Sequence, residues 1–123
     1  MAVREALIIG AGMSGMVAAV NLAREGYRVV IREAEESYGG ARIYNPSTHV
    51  TPIDPVKTSE YIGIDVSPVF HQVKKCPAYF HDTVIQFPVY SVYGVERGDR
   101  PGRLDTLLYG QCLDAGVEFE FSS

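Results

Sequence analysis

The chain has no tryptophan, only two cysteines and little lysine among its 123 residues. Cys76 and Cys112 are too far apart for a metal-binding pair and too few for a disulfide framework. That usage suits a reducing, cytoplasmic setting in which each thiol serves as a small hydrophobe. Lysine is confined to Lys57, Lys74 and Lys75, and the net charge is −4. A chain so balanced carries no basic footprint for nucleic acid. No apolar run approaches the roughly 20 residues of a membrane-spanning helix, so no transmembrane segment is expected. Residues 6–20 are mostly apolar and follow Arg4, but glycines at 10, 12 and 15 suit a secretory signal poorly. His49, His71 and His81 show no ligand spacing, and His71 and Cys76 have no second pair to complete a zinc site. Asp54, Asp65 and Asp82 read as turn acids rather than catalytic bases. The remaining composition, 46% hydrophobic and 21% charged, is ordinary for a soluble globular domain.

What is present is a fingerprint at the start. Ala6-Leu7-Ile8-Ile9 is a short apolar strand that runs into Gly10-Ala11-Gly12-Met13-Ser14-Gly15, a G-x-G-x-x-G sequence. Gly10 permits a tight strand-to-helix turn. Gly12 lets the backbone approach a pyrophosphate, and Gly15 with Ala19 lets the helix lie close on a sheet. The helix start at Met13 and Ser14 offers free N–H groups and a positive dipole end to phosphates. The Ser14 hydroxyl either touches a phosphate or serves the helix start. Glu33 closes the next apolar run, where a carboxylate accepts hydrogen bonds from a ribose 2′-OH. Arg32 beside it stands at a position that is usually apolar, and an arginine there favours a 2′-phosphate. NAD or NADP therefore stays open as an alternative ligand to FAD.

The periodicity predicts a strand over 4–9, a helix over 14–25 ended by Gly26, and a second strand at 29–31. From Glu35 to about Tyr61 the periodicity fades among Pro46, Pro52 and Pro55, and a loop is expected there. Residues 83–87 and 90–95 are β-rich, with Pro88 between them placing at least one at an edge or bulge. Leu104, Leu107, Leu108, Cys112 and Ala115 fall at helical spacing up to Gly116. Val117, Phe119 and Phe121 then alternate with Glu118 and Glu120, as in a strand with one wet face. Tyr38, Tyr44, Tyr90 and Tyr93 are candidates for a pocket lining, though tyrosines on β segments more often pack.

These elements make an α/β, Rossmann-like FAD/NAD(P)-binding fold: a βαβ start, a β-rich excursion over 43–92, then α and β. The last strand is expected beside the second, giving sheet order 3-2-1. The strands that complete a doubly wound sheet are not among these residues. Residues 1–123 are therefore expected to be the N-terminal segment of a longer domain, inactive alone.

The block Glu33-Ala34-Glu35-Glu36-Ser37-Tyr38-Gly39-Gly40-Ala41-Arg42 resembles the second signature of glutathione-reductase-type FAD proteins. There a strand-ending Glu holds the adenosine ribose and a Gly-Gly-x-Arg follows. Gly39 and Gly40 let backbone pass near a cofactor, and Arg42 neutralises pyrophosphate charge. The C-terminal third, Tyr93-Gly94-Val95-Glu96-Arg97 followed by Leu104-Asp105-Thr106-Leu107-Leu108, is similar to geranylgeranyl reductases and flavin monooxygenases. In those families a strand-ending Arg touches the FAD pyrophosphate or ribose, and a helix opening on an apolar-Asp pair follows. The resemblance assigns that role to Arg97. The turn here is longer than usual, so Arg100 and Arg103 compete for it. The resemblance implies an FAD-dependent oxidoreductase, geranylgeranyl-reductase-like, acting on a small-molecule or prenyl-type substrate. It is weakest over 43–92 and names no catalytic residue. Two other readings are an NAD(P)-dependent dehydrogenase domain and a non-catalytic remnant.

Overall fold

The computed structural model describes residues 2–40, 42 and 45–123. Tyr44, a candidate pocket residue, lies outside the described residues.

Strand β1 (Glu5–Ile9), helix α1 (Met13–Arg24) and strand β2 (Arg28–Arg32) form the βαβ start. Gly26 takes φ +90°, the left-handed conformation that lets the chain leave the helix. Helix α1 needs no side-chain cap at its start, where Gly12 is the N-cap residue. Its sheet-facing side is Met16, Ala19 and Val20, each fully buried. Val29 and Ile31 answer them from β2.

Among the described residues, the chain returns to this sheet at its end, through helix α3 (Leu104–Asp114) and strand β8 (Glu118–Glu120). Strands β1 and β2 pair in parallel, as do β2 and β8, so the order is β1-β2-β8. This is the order the sequence predicts. Both crossovers step in the same direction, and right-handed connections then put both helices on one face. On that face Leu104, Leu108 and Cys112 of α3 join the α1 residues in a single core. Beneath α3, Tyr109 packs edge-on against Phe119, with ring centroids 4.9 Å apart. The opposite face is wet. Arg28 bridges Glu5 and Glu118 there, each at 3.2 Å, and Arg32 meets Glu120 at 2.6 Å.

The excursion is more regular than expected. The stretch read as loop holds strand β3 (Ser47–Pro52) and helix α2 (Pro55–Ile62). The helix has strong local punctuation in place of amphipathic periodicity. Asp54 Oδ1 accepts hydrogen bonds from the N–H groups of Val56 and Lys57 at 3.1 and 3.0 Å, Pro55 occupies the first turn, and Gly63 leaves it at φ +72°. Prolines that suggest a loop are here a helix start and a strand end. A short 3-10 turn (Ser67–Val69) leads to strand β4 (Phe70–Gln72), and β7 (Val92–Arg97) sits between β3 and β4 in an antiparallel sheet. Strands β5 (Cys76–Phe80) and β6 (Thr83–Phe87) form a separate two-stranded hairpin that carries the expected edge character. Helix α1 anchors the excursion. Asn21 donates to the Ile62 carbonyl at 2.8 Å, and Arg24 donates to that of Gly63.

Candidate dinucleotide site

The glycine loop lies between the end of β1 and the first turn of α1. Gly10, at φ +102°, donates its N–H to the Arg32 carbonyl at 2.7 Å, which ties the turn to the end of β2. A Cβ added at Gly10 or Gly12 would meet nothing within 4 Å, so the outer side of the loop is open. Gly15 is the reverse case. A Cβ there would overlap the Gly10 carbonyl oxygen and crowd the Ile8 side chain at 3.4 Å. Helix and strand turn touch at that point. Gly12, Met13 and Ser14 are exposed at the rim. The first-turn N–H groups have no helical acceptor, and the helix dipole adds a partial positive charge. An open cradle of backbone donors is the arrangement a phosphate requires.

Glu33 stands one residue beyond β2 and is half-buried. Its Oε2 accepts the Ala11 N–H at 2.6 Å and its Oε1 accepts the Glu35 N–H at 3.0 Å. The Ala11 carbonyl accepts the Gly39 N–H at 2.6 Å. Ala11, fully buried, thus joins three pieces that lie apart in sequence: the glycine loop, the strand-ending acid and the Gly-Gly turn. Gly39 and Gly40 take φ +67° and +65° in succession, a conformation that side-chain-bearing residues rarely adopt.

Arg97 sits at the end of β7, and its side chain is 11% exposed. Its Nε donates to Asp105 Oδ2 at 2.9 Å and its Nη2 to Asp105 Oδ1 at 3.0 Å, a bidentate fork. Nη2 also reaches the Gly39 carbonyl at 3.4 Å. Asp105 Oδ2 takes a third donor, the Gly98 N–H, at 2.7 Å. In the sequence Asp105 stands out only as half of an apolar-Asp pair. Its role depends on a partner that the fold brings from β7.

The other arginines divide clearly. Arg103 is buried, donates to the Arg97 carbonyl at 3.3 Å and pairs with Glu96 at 3.2 Å. Arg100 is exposed. Arg42 is exposed on the Glu33 side of the loop and pairs with Glu35 at 3.2 Å. Arg32 points to the wet face of the sheet, opposite Glu33, because successive residues of a strand alternate sides. Among the tyrosines, Tyr38 stacks on Tyr109 at 4.1 Å, which makes it a packing residue. The structure therefore brings Gly10, Gly12, Met13, Ser14, Gly15, Glu33 and Gly40 to one locality. Arg97 adjoins them through Gly39, and Arg42 lies at the margin.

A cavity of about 360 Å³ opens beside this site, between the start of α1, the antiparallel sheet and α3. Met13, Val17, Ile53, Ile62 and Leu104 give it apolar walls, and Arg97 stands at its edge.

Residues 8–55 match the family described as NAD(P)-binding Rossmann-like domain. The fold is that of a Rossmann-like NAD(P)/FAD-binding domain, present here in part. Within that class the chain is similar to plant flavin-containing monooxygenases. It is 31% identical over 110 residues to flavin-containing monooxygenase FMO GS-OX2 of Arabidopsis thaliana, across 85% of this chain and 23% of that protein. It is 32% identical to the putative flavin-containing monooxygenase FMO GS-OX-like 11 of the same plant, across 86% of this chain and 60% of that one. The chain thus spans about a quarter of the length of FMO GS-OX2. Among solved structures, the tetrameric form of 2-methyl-3-hydroxypyridine-5-carboxylic acid oxygenase superposes with a TM-score of 0.73 at 18% identity, over 100% of this chain and 32% of that one. CtdE in complex with FAD superposes at 0.67 and 13%, over 99% and 30%.

Proposed function

We propose that this chain is the FAD-binding segment of a flavin-dependent oxidoreductase, gripping the ADP part of the cofactor. The observation that carries this reading is Ala11, whose two backbone groups tie the glycine loop to Glu33 on one side and to Gly39 on the other. Gly10, Gly12, Met13, Ser14 and Gly15 cradle the pyrophosphate. Glu33 holds the adenosine ribose, since its two carboxylate oxygens have acceptor sites beyond those taken by the Ala11 and Glu35 N–H groups. Gly40 and Arg42 flank the phosphates, and Arg97 belongs to the site through its contact with Gly39. FAD, once bound, supplies the redox chemistry.

At a finer level, the substrate is a small, largely apolar molecule. The apolar cavity beside the loop supports that, and the turn-and-helix pattern around Arg97 is compatible with a geranylgeranyl-reductase-like enzyme acting on a prenyl-type chain. The similarity to flavin-containing monooxygenases favours oxygen transfer as the second reading. Reduced flavin that an apolar alkene reoxidises in the absence of air, with the alkene saturated, supports the reductase. An oxygenated product supports the monooxygenase.

The test of the main reading is to titrate FAD, NAD and NADP into the protein expressed from its full reading frame, in wild type and Glu33→Ala. Wild type is expected to prefer FAD. Glu33→Ala is expected to lose about ten- to a hundredfold in affinity, the worth of about 1.5–3 kcal/mol for hydrogen bonds to a charged group. Tight NADP binding without FAD binding in wild type overturns the flavin assignment.

A further inference from the structure

We propose that Arg97 and Asp105 form a positioning clasp that holds the Gly-Gly turn against the glycine loop, and that Arg97 serves the dinucleotide through this clasp instead of as a direct phosphate ligand. The inference rests on the FAD-binding reading above and names how part of that site is built.

Asp105 is fully buried, and three donors converge on its two oxygens: Arg97 Nε, Arg97 Nη2 and the Gly98 N–H. Its carboxyl group also lies against Gly39, where an added Cβ would overlap it. Gly39 is consequently fixed on three sides. Its Cα abuts Asp105, its carbonyl faces Arg97 Nη2 at 3.4 Å, and its N–H is held by the Ala11 carbonyl at 2.6 Å. Ala11 in turn gives its N–H to Glu33 at 2.6 Å. A continuous path of contacts therefore runs from Asp105 through Gly39 and Ala11 to the ribose-binding acid.

Two physical considerations favour positioning over direct contact. Arg97 spends Nε and Nη2 on a carboxylate, so most of its charge is already balanced before an anion arrives. A buried ion pair is also a poor source of stability compared with well-packed apolar residues, because both charges give up water. What a fork of this geometry does supply is direction. It fixes the guanidinium plane, and with it the position of the Gly39 carbonyl. Arg103 reinforces the end of β7 by donating to the Arg97 carbonyl at 3.3 Å.

The experiment compares wild type with Asp105→Asn, Arg97→Lys, Arg97→Gln and the double variant Asp105→Asn/Arg97→Gln, all from the full reading frame. FAD affinity is read by flavin fluorescence. Amide hydrogen exchange is read in the FAD-free protein at Gly39 and Ala11, with Val29 and Ile31 in the core as controls. Asp105→Asn and Arg97→Lys are each expected to weaken FAD binding by about ten- to a hundredfold and to speed exchange at Gly39, with the core amides unchanged. The double variant is expected to be no worse than the poorer single, since both members serve one contact. The proposal is overturned if Arg97→Gln weakens FAD binding while Asp105→Asn does not, which marks a direct phosphate contact. It is equally overturned if core and Gly39 amides accelerate together, which marks a general stabilising pair. Should Asp105→Asn not fold, Arg97→Lys with unchanged FAD affinity and unchanged Gly39 exchange overturns it alone. If wild type binds no FAD, the functional reading fails, while the exchange comparison still decides the clasp.

Discussion

Two chemically identical substitutions in two helices are expected to act in opposite directions. Gly15 and Gly110 lie in α1 and α3 respectively, and replacing either by Ala gains about 1 kcal/mol of helix propensity. At Gly110 nothing lies within 4 Å of the new Cβ, so that gain stands and Gly110→Ala is stabilising by about 1 kcal/mol. At Gly15 the new Cβ overlaps the Gly10 carbonyl oxygen, a backbone atom that no side-chain rotation can move. Helix α1 must then lift from the strand turn and carry Met16, Ala19 and Val20, all fully buried, away from the sheet. Overpacking of this kind costs about 1–3 kcal/mol, and a gap of about 0.5–1 Å forfeits a quarter to a half of each dispersion contact along the interface. With backbone on one side, the cost falls at the upper end and exceeds the propensity gain by about 2 kcal/mol. The two variants should therefore differ by about 3 kcal/mol. At roughly 4 °C per kcal/mol for a domain of this size, their melting temperatures should differ by on the order of 12 °C. Thermal melts and urea titrations followed by circular dichroism measure this. A Gly15→Ala protein that melts at or above wild type refutes the close-approach argument. A destabilised Gly110→Ala refutes the claim that its surroundings are open.

Gly12→Val should lower the unfolding free energy read from urea titration by no more than about 1 kcal/mol, the cost of a poorer N-cap, because its extended backbone (φ −76°, ψ 177°) admits a side chain and the space is open. The same change should abolish dinucleotide binding by filling the cradle, and retained FAD binding with normal affinity would show that phosphates bind elsewhere. Cys76 is exposed, whereas Cys112 is buried with its Sγ donating to the Met16 carbonyl at 3.4 Å, and burial pushes its pKa up to about 11. Alkylation at pH 8 followed by mass spectrometry should modify Cys76 in the folded protein and Cys112 only after denaturation. Modification of both at equal rates would contradict the packing of α3 on α1.

The parts of this molecule that could be read in advance are those whose cause is local. Gly10, Gly12 and Gly15 each answer to a constraint within a few residues, so their spacing announces both the turn and the helix packing. The alternation from Val117 to Phe121 announces a strand for the same reason. Helix α2 was equally local in its punctuation, with Asp54 before Pro55 and Gly63 after it. It is hidden because eight residues carry too short a repeat to stand out from the surrounding prolines. The clasp is different in kind. Asp105 looks like an ordinary first-turn acid, whose usual service is to the helix dipole. It becomes the bidentate partner of Arg97 and the neighbour of Gly39 only when β7 and the Gly-Gly turn are placed beside it. Both placements are tertiary: β7 belongs to the second sheet, and the order β1-β2-β8 sets α3 beside α1. The fingerprint thus foretells which backbone is needed near a dinucleotide, while the side chains that hold that backbone still are specified by the sheet order. Arg97 enters as a cofactor ligand through the family resemblance, whereas its bidentate partner Asp105 becomes visible only once β7 and α3 are placed side by side.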